Sequence, residues 1–143
     1  MTTALRFSIA GLAAAFLAFA PAAFAETQTY KADLKASTEV PANDSKGSGA
    51  LTATYDTATK KLTYSATYKD LTGPATAAHF HGPAAAGVNA GVVVPVKDMT
   101  PSPLKGEATL TDAQAADLQS GKWYFNIHTA ANKGGEIRGQ VTK

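Results

Sequence analysis

The sequence predicts an all-β fold, an antiparallel sandwich or barrel with one short helix near residues 112–120. Three observations predict it. Short stretches rich in Thr, Tyr, Val and Phe alternate apolar and polar residues with a period of two. Clusters of Gly, Pro, Asn, Asp and Ser separate them at the spacing of all-β domains. A helical period appears in only one stretch, after Thr111.

The elements follow in order. Tyr30 to Ala36 alternates and reads as a first strand. Ser37 to Gly49 is a loop by composition. Gly49 to Tyr55 puts Leu51, Ala53 and Tyr55 on one face and threonines on the other, the pattern of a half-buried antiparallel strand. Asp56 to Lys60 turns the chain, and Leu62 to Tyr68 repeats the alternation, so these two strands make the clearest hairpin. Leu71 to Pro74 turns into a strand around His79, and Pro83 to Gly91 is a loop of small residues. Gly91 to Val96 is β-branched, with Pro95 placing it at an edge or bulge. Gly106 to Leu110 is a short strand. Thr111-Asp112-Ala113-Gln114 is a capping-box pattern opening about two helical turns, which end near Gly121. Lys122 to His128 and Glu136 to Val141 are the last strands.

Residues 1–25 read as a secretory signal. Arg6 supplies the positive start, Ile9 to Ala20 the apolar run, and Ala23-Phe24-Ala25 a small-x-small cleavage site. The run is shorter than the roughly 20 apolar residues of a membrane span. Residues 26–143 are then one domain of a periplasmic or secreted protein, with no membrane contact after cleavage. The net charge of the whole sequence is +2, without a basic stripe, which argues against a nucleic-acid partner. There is no cysteine. The fold must rest on packing, and any copper would be held by nitrogen and oxygen.

The three histidines lie in two stretches, His79 and His81 in one and His128 in the other. On a strand His79 and His81 share a face. In the later strand Trp123, Phe125 and Ile127 form the core side, leaving Tyr124, Asn126 and His128 on the opposite, wetter face. Phe80 and Ala78 likewise turn the first two histidines away from the core. All three imidazoles therefore meet on one outer face if the two strands are neighbours. Such a group suits copper, with zinc the alternative. Two solvated polar residues on an exposed strand are the plainer reading of His-x-His. Asn126 reads as a strand-face hydrogen-bonder. Glu136 is either an orienting partner for an imidazole or half of a surface ion pair with Arg138. Met99 and Asp98 are weaker candidates for an axial ligand.

The order of motifs resembles the CHRD domain, named for chordin, in a small bacterial secreted form. The residues that carry the resemblance run from Leu34-Lys35-Ala36-Ser37-Thr38-Glu39-Val40-Pro41 through Ala77-Ala78-His79-Phe80-His81-Gly82-Pro83-Ala84 and Val92-Val93-Val94-Pro95. They continue through Leu110-Thr111-Asp112-Ala113-Gln114, Tyr124-Phe125-Asn126-Ile127-His128-Thr129 and Gly134-Gly135-Glu136-Ile137-Arg138-Gly139. The resemblance implies an immunoglobulin-like or superoxide-dismutase-like sandwich. Lys133 departs from the proline that many members carry there.

Three functions are compatible with these residues. The first is a copper-binding protein for storage, delivery or tolerance, using His79, His81 and His128 and no catalytic residue. The second is a copper-dependent, superoxide-handling enzyme, with Arg138 to steer the anion. The third is an extracellular binding or adhesion module that presents edges and loops to other proteins, as the chordin resemblance implies, and whose face bearing Tyr124 and the imidazoles would serve as a homodimer surface. A hydrolase is disfavoured, because neither a cysteine nor a Gly-x-Ser-x-Gly elbow is present.

Overall fold

The computed structural model describes residues 25–100 and 102–143. Apart from Ala25, the expected signal segment lies outside the described residues. The described chain runs β1 (Thr27–Lys35), a 3-10 turn (Ala36–Thr38), β2 (Ser48–Asp56), β3 (Lys61–Lys69), β4 (Ala75–His81), β5 (Val92–Pro95) and β6 (Leu104–Thr109). It continues with α1 (Asp112–Gln119), β7 (Trp123–Thr129) and β8 (Ile137–Val141). The strands form one antiparallel sheet in the order β5-β4-β7-β8-β1-β2-β3-β6. This is the all-β fold with one short helix that the alternation predicts.

The sheet is pinched at its middle. β8 meets β1 through the pair Lys35–Arg138, supplemented by the bridge Lys31–Thr142. On either side of this pinch lie four strands, and the two halves fold over a common core. Tyr64 of β3 sets its ring edge-on to Phe80 of β4 at 5.1 Å, although these strands are far apart in the sheet. Phe80 also packs on Phe125 at 4.8 Å and on Trp123 at 5.8 Å. Phe80, Trp123, Phe125, Leu62 and Leu118 are fully buried, at roughly 1.5–3 kcal/mol for each such large apolar side chain.

Local chemistry sets the turns. In the β2–β3 hairpin, Asp56 Oδ1 accepts from the Ala58 and Thr59 amides. At α1 the capping box forms: Thr111 Oγ1 accepts from the Gln114 amide at 3.2 Å, and Gln114 Oε1 accepts from the Thr111 amide at 2.9 Å. Gly121 ends the helix with φ of +69°.

The site depends on β4 and β7 being neighbours. Their register sets His79 opposite Asn126, His81 opposite Tyr124 and Ala77 opposite His128. His79 and His128 are thus diagonal partners on one face, close enough for long side chains to meet.

The sequence expectation for that face needs correction. Tyr124 is 3% exposed and Asn126 only 2%. The face is outside the apolar core yet largely dry, because loops cover it. Tyr124 Oη accepts from the Ala90 amide at 3.1 Å, which holds the 83–91 loop down. On the other side Glu39 lies against Gly135 and Asn126. Tyr124 is therefore not presented to solvent in this fold.

Candidate metal centre

His79, His81 and His128 come together. One ring nitrogen from each lies within 4.8 Å of the others. His79 Nδ1 is 3.1 Å from His128 Nε2. His79 and His128 are half-buried and His81 is 9% exposed, so the cluster opens to solvent on the His79–His128 side.

Two backbone carbonyls determine the protonation of two rings. His81 Nδ1 lies 2.9 Å from the Ala90 carbonyl oxygen, and His128 Nδ1 lies 2.9 Å from that of Lys133. A carbonyl oxygen only accepts, so each Nδ1 carries the ring proton and donates it. In the neutral form each ring then turns an Nε2 lone pair inward. Those lone pairs face Asn126 Oδ1, at 3.0 Å from His81 and 2.9 Å from His128. Three electron-rich atoms thus converge with no ring proton between them.

The electrostatics disfavour adding protons instead. Burial lowers the pKa of His79, and the neighbouring His128 and His81 lower it further. Burial also lowers that of His128, against the opposing pull of the Lys133 carbonyl, with His81 adding to the fall. Uncharged imidazoles are the form that binds a metal.

The stretches that the sequence marked as loops hold these rings in place. Gly82 ends β4, and its amide donates to the Gly91 carbonyl at 3.1 Å, closing the 83–91 loop so that Ala90 reaches His81. His81 stacks on Tyr124, with centroids 4.7 Å apart and planes within 2°. Arg138 lies over the same ring, its guanidinium carbon 3.3 Å from the centroid. Because β7 runs between β4 and β8, the tyrosine is held from both sides. Arg138 also donates to Asn89 Oδ1 at 2.8 Å and to the Val88 carbonyl, clamping the loop.

Several sequence readings change here. Glu136 is fully buried and touches no imidazole. Its carboxylate accepts from Ser45, from the amide and hydroxyl of Thr72, from Thr129 and from Asn132. It ties three loops together, and it makes no ion pair with Arg138. Arg138 is 2% exposed and committed to Tyr124 and the loop, so it does not face solvent to steer an anion. Asp98 bonds Thr100, and Met99 packs against the core; neither reaches the histidines.

Sequence reasoning missed Glu39. It is 5% exposed, and its Oε1 has no hydrogen-bond partner among the described residues. Burial pushes its carboxyl up to about 7, against the lowering effects of Arg138, the Val40 amide and the Asn126 side chain. A lone glutamate in a Ser- and Pro-rich loop carries no signal for this role.

Comparison with known proteins gives one match. The CHRD domain family model matches residues 30–141. No curated protein and no solved structure matches the chain. The match runs from within β1 to the end of β8 and includes all three histidines. This chain belongs to the CHRD domain family.

Proposed function

We propose that this CHRD domain is a metal-binding protein that takes copper in preference to zinc, at His79, His81 and His128. The observation that carries the reading is the pair of carbonyl-locked rings, whose Nε2 lone pairs converge beside His79. Metal-bound histidines commonly donate their second nitrogen to a carbonyl in this way, which orients the ring and raises its basicity. The Nε2 lone pairs of His81 and His128 crowd against Asn126 Oδ1 with no proton from either ring, and a cation relieves that repulsion. Between divalent ions, nitrogen and oxygen donors bind copper more tightly than zinc. The site is part-open, as suits uptake and release, and the protein would act in copper storage, delivery or tolerance. The apolar leader read in the sequence supports a role in the periplasm or outside the cell.

Titration of the purified protein with copper and zinc tests this. One copper per chain is expected, bound more tightly than zinc. His79→Ala and His128→Ala should each weaken binding at least tenfold. Absence of uptake, or uptake unchanged in both variants, would overturn the proposal.

A further inference from the structure

We infer that Asn126 Oδ1 is a fourth metal ligand, that Glu39 positions it, and that the resulting three-nitrogen, one-oxygen set selects Cu(II) over Cu(I). This rests on the metal-binding reading above and adds a donor, a positioning residue and an oxidation state to it.

The argument starts from the distances. Asn126 Oδ1 is 2.9 Å from His128 Nε2 and 3.0 Å from His81 Nε2. His128 Nε2 is in turn 3.1 Å from His79 Nδ1. Ligands about 2 Å from one ion stand roughly 3 Å apart when they are adjacent around it. The oxygen therefore sits among the nitrogens at the spacing of a member of the set. An ordinary hydrogen bond does not explain its place, because the ring protons of His81 and His128 are already given to Ala90 and Lys133.

An amide can be turned end for end, so its orientation needs a separate reason. Glu39 supplies it. A Cβ built on Gly135 would lie 2.3 Å from Glu39 Oε1 and 2.8 Å from Asn126 Nδ2, so these two atoms crowd one spot. Oε1 is buried and lacks a partner, and a carboxylate oxygen needs a donor. In the structure Nδ2 lies on that side without closing a hydrogen bond to Oε1, and a small shift of either side chain would close it. With Glu39 ionised, turning the amide over would set two oxygens against each other. With Nδ2 on the Glu39 side, Oδ1 is aimed at the rings. Asn126 is 2% exposed, so water does not compete for either end.

The oxygen decides the oxidation state. Cu(I) favours soft sulfur ligands, whereas Cu(II) accepts imidazole and oxygen in a tetragonal set. The site offers no cysteine, and Met99 packs elsewhere. Removing the oxygen leaves three imidazoles, a set that Cu(I) tolerates better than Cu(II).

The test uses wild-type protein labelled with 13Cγ-asparagine and loaded with Cu(II). Electron–nuclear double resonance should show a 13C coupling from one asparagine, and the coupling should vanish in Asn126→Asp labelled the same way. Asn126→Leu should lose at least tenfold in Cu(II) affinity while its Cu(I) affinity changes less than threefold. Glu39→Leu should alter the Cu(II) spectrum, and Glu39→Gln, which keeps an acceptor, should restore it. A wild-type spectrum without the 13C coupling overturns the inference, even if the variants fold poorly. So does an Asn126→Leu protein with wild-type affinity and spectrum. If copper binds, and is lost with His79→Ala but not with Asn126→Leu, only the fourth ligand fails. If wild-type protein takes no copper, both readings fail.

Discussion

The His128 ring donates its Nδ1 proton to the backbone carbonyl of Lys133, 2.9 Å away. The contact uses the main chain, so the identity of the side chain at 133 does not enter it. Proline retains its carbonyl, while it loses the N–H and fixes φ at about −65°. Lys133→Pro should therefore leave copper affinity within about threefold. Isothermal titration would check this, and a tenfold loss would show that the carbonyl had moved.

Metal should stabilise the fold as well as occupy the site. An ion that binds only the folded chain adds about 2.7 kcal/mol at a hundredfold excess over its dissociation constant. For a domain of this size that raises Tm by several degrees. Calorimetry with free copper at about a hundred times its dissociation constant should show the rise, a chelator should reverse it, and His79→Ala should abolish it.

Glu136 makes the fold acid-sensitive. Burial would raise its pKa, but bonds from Ser45, Thr129 and Thr72 prevail and hold it at about 2, below the ordinary 4.5. A carboxylate with a depressed folded pKa stabilises the protein fully above its unfolded value. That contribution is lost as pH falls from about 4.5 to about 2. Urea unfolding across this range should show stability dropping with pH. Glu136→Gln should lower stability at pH 7 and flatten the acid limb; an unchanged slope would mean that other groups set it.

Gly135 should tolerate no side chain. Its φ is +131°, a region that favours glycine, and an added Cβ would meet Glu39 Oε1 and Asn126 Nδ2. Gly135→Ala should cost about 1–3 kcal/mol in stability, mainly as backbone strain. It should also weaken copper binding by displacing Asn126. Chemical denaturation and copper titration on the same variant would separate the two effects. Gly134, with open space around its Cα, is the control: Gly134→Ala should leave copper affinity unchanged.

How far the site was legible varies with the kind of contact. His79 and His81 share a face because strand side chains alternate, so their pairing is local and readable. Their meeting with His128 follows from the register of β4 on β7, which the sequence only suggests through matching apolar faces. Glu136 and Arg138 were misread for a single reason. Each is charged and sits near a strand end, where composition predicts solvent, yet loops from distant parts of the chain enclose both. Alternation sets Asn126 on the face away from the apolar core, but it carries no sign that loops close over that face.

The sequence alone determined the all-β class, the helix with its capping box, the family and the three histidines. These rest on short-range periodicity, on motifs, and on which residues are absent. The tertiary structure decided which nitrogens face inward and which groups stand around them. Ring orientation depends on the carbonyls of Ala90 and Lys133, and a carbonyl is present at every position whatever the residue type. The burial of Glu39 and Asn126 depends on loops closing over a sheet face, a long-range packing event that no local pattern of residue types encodes.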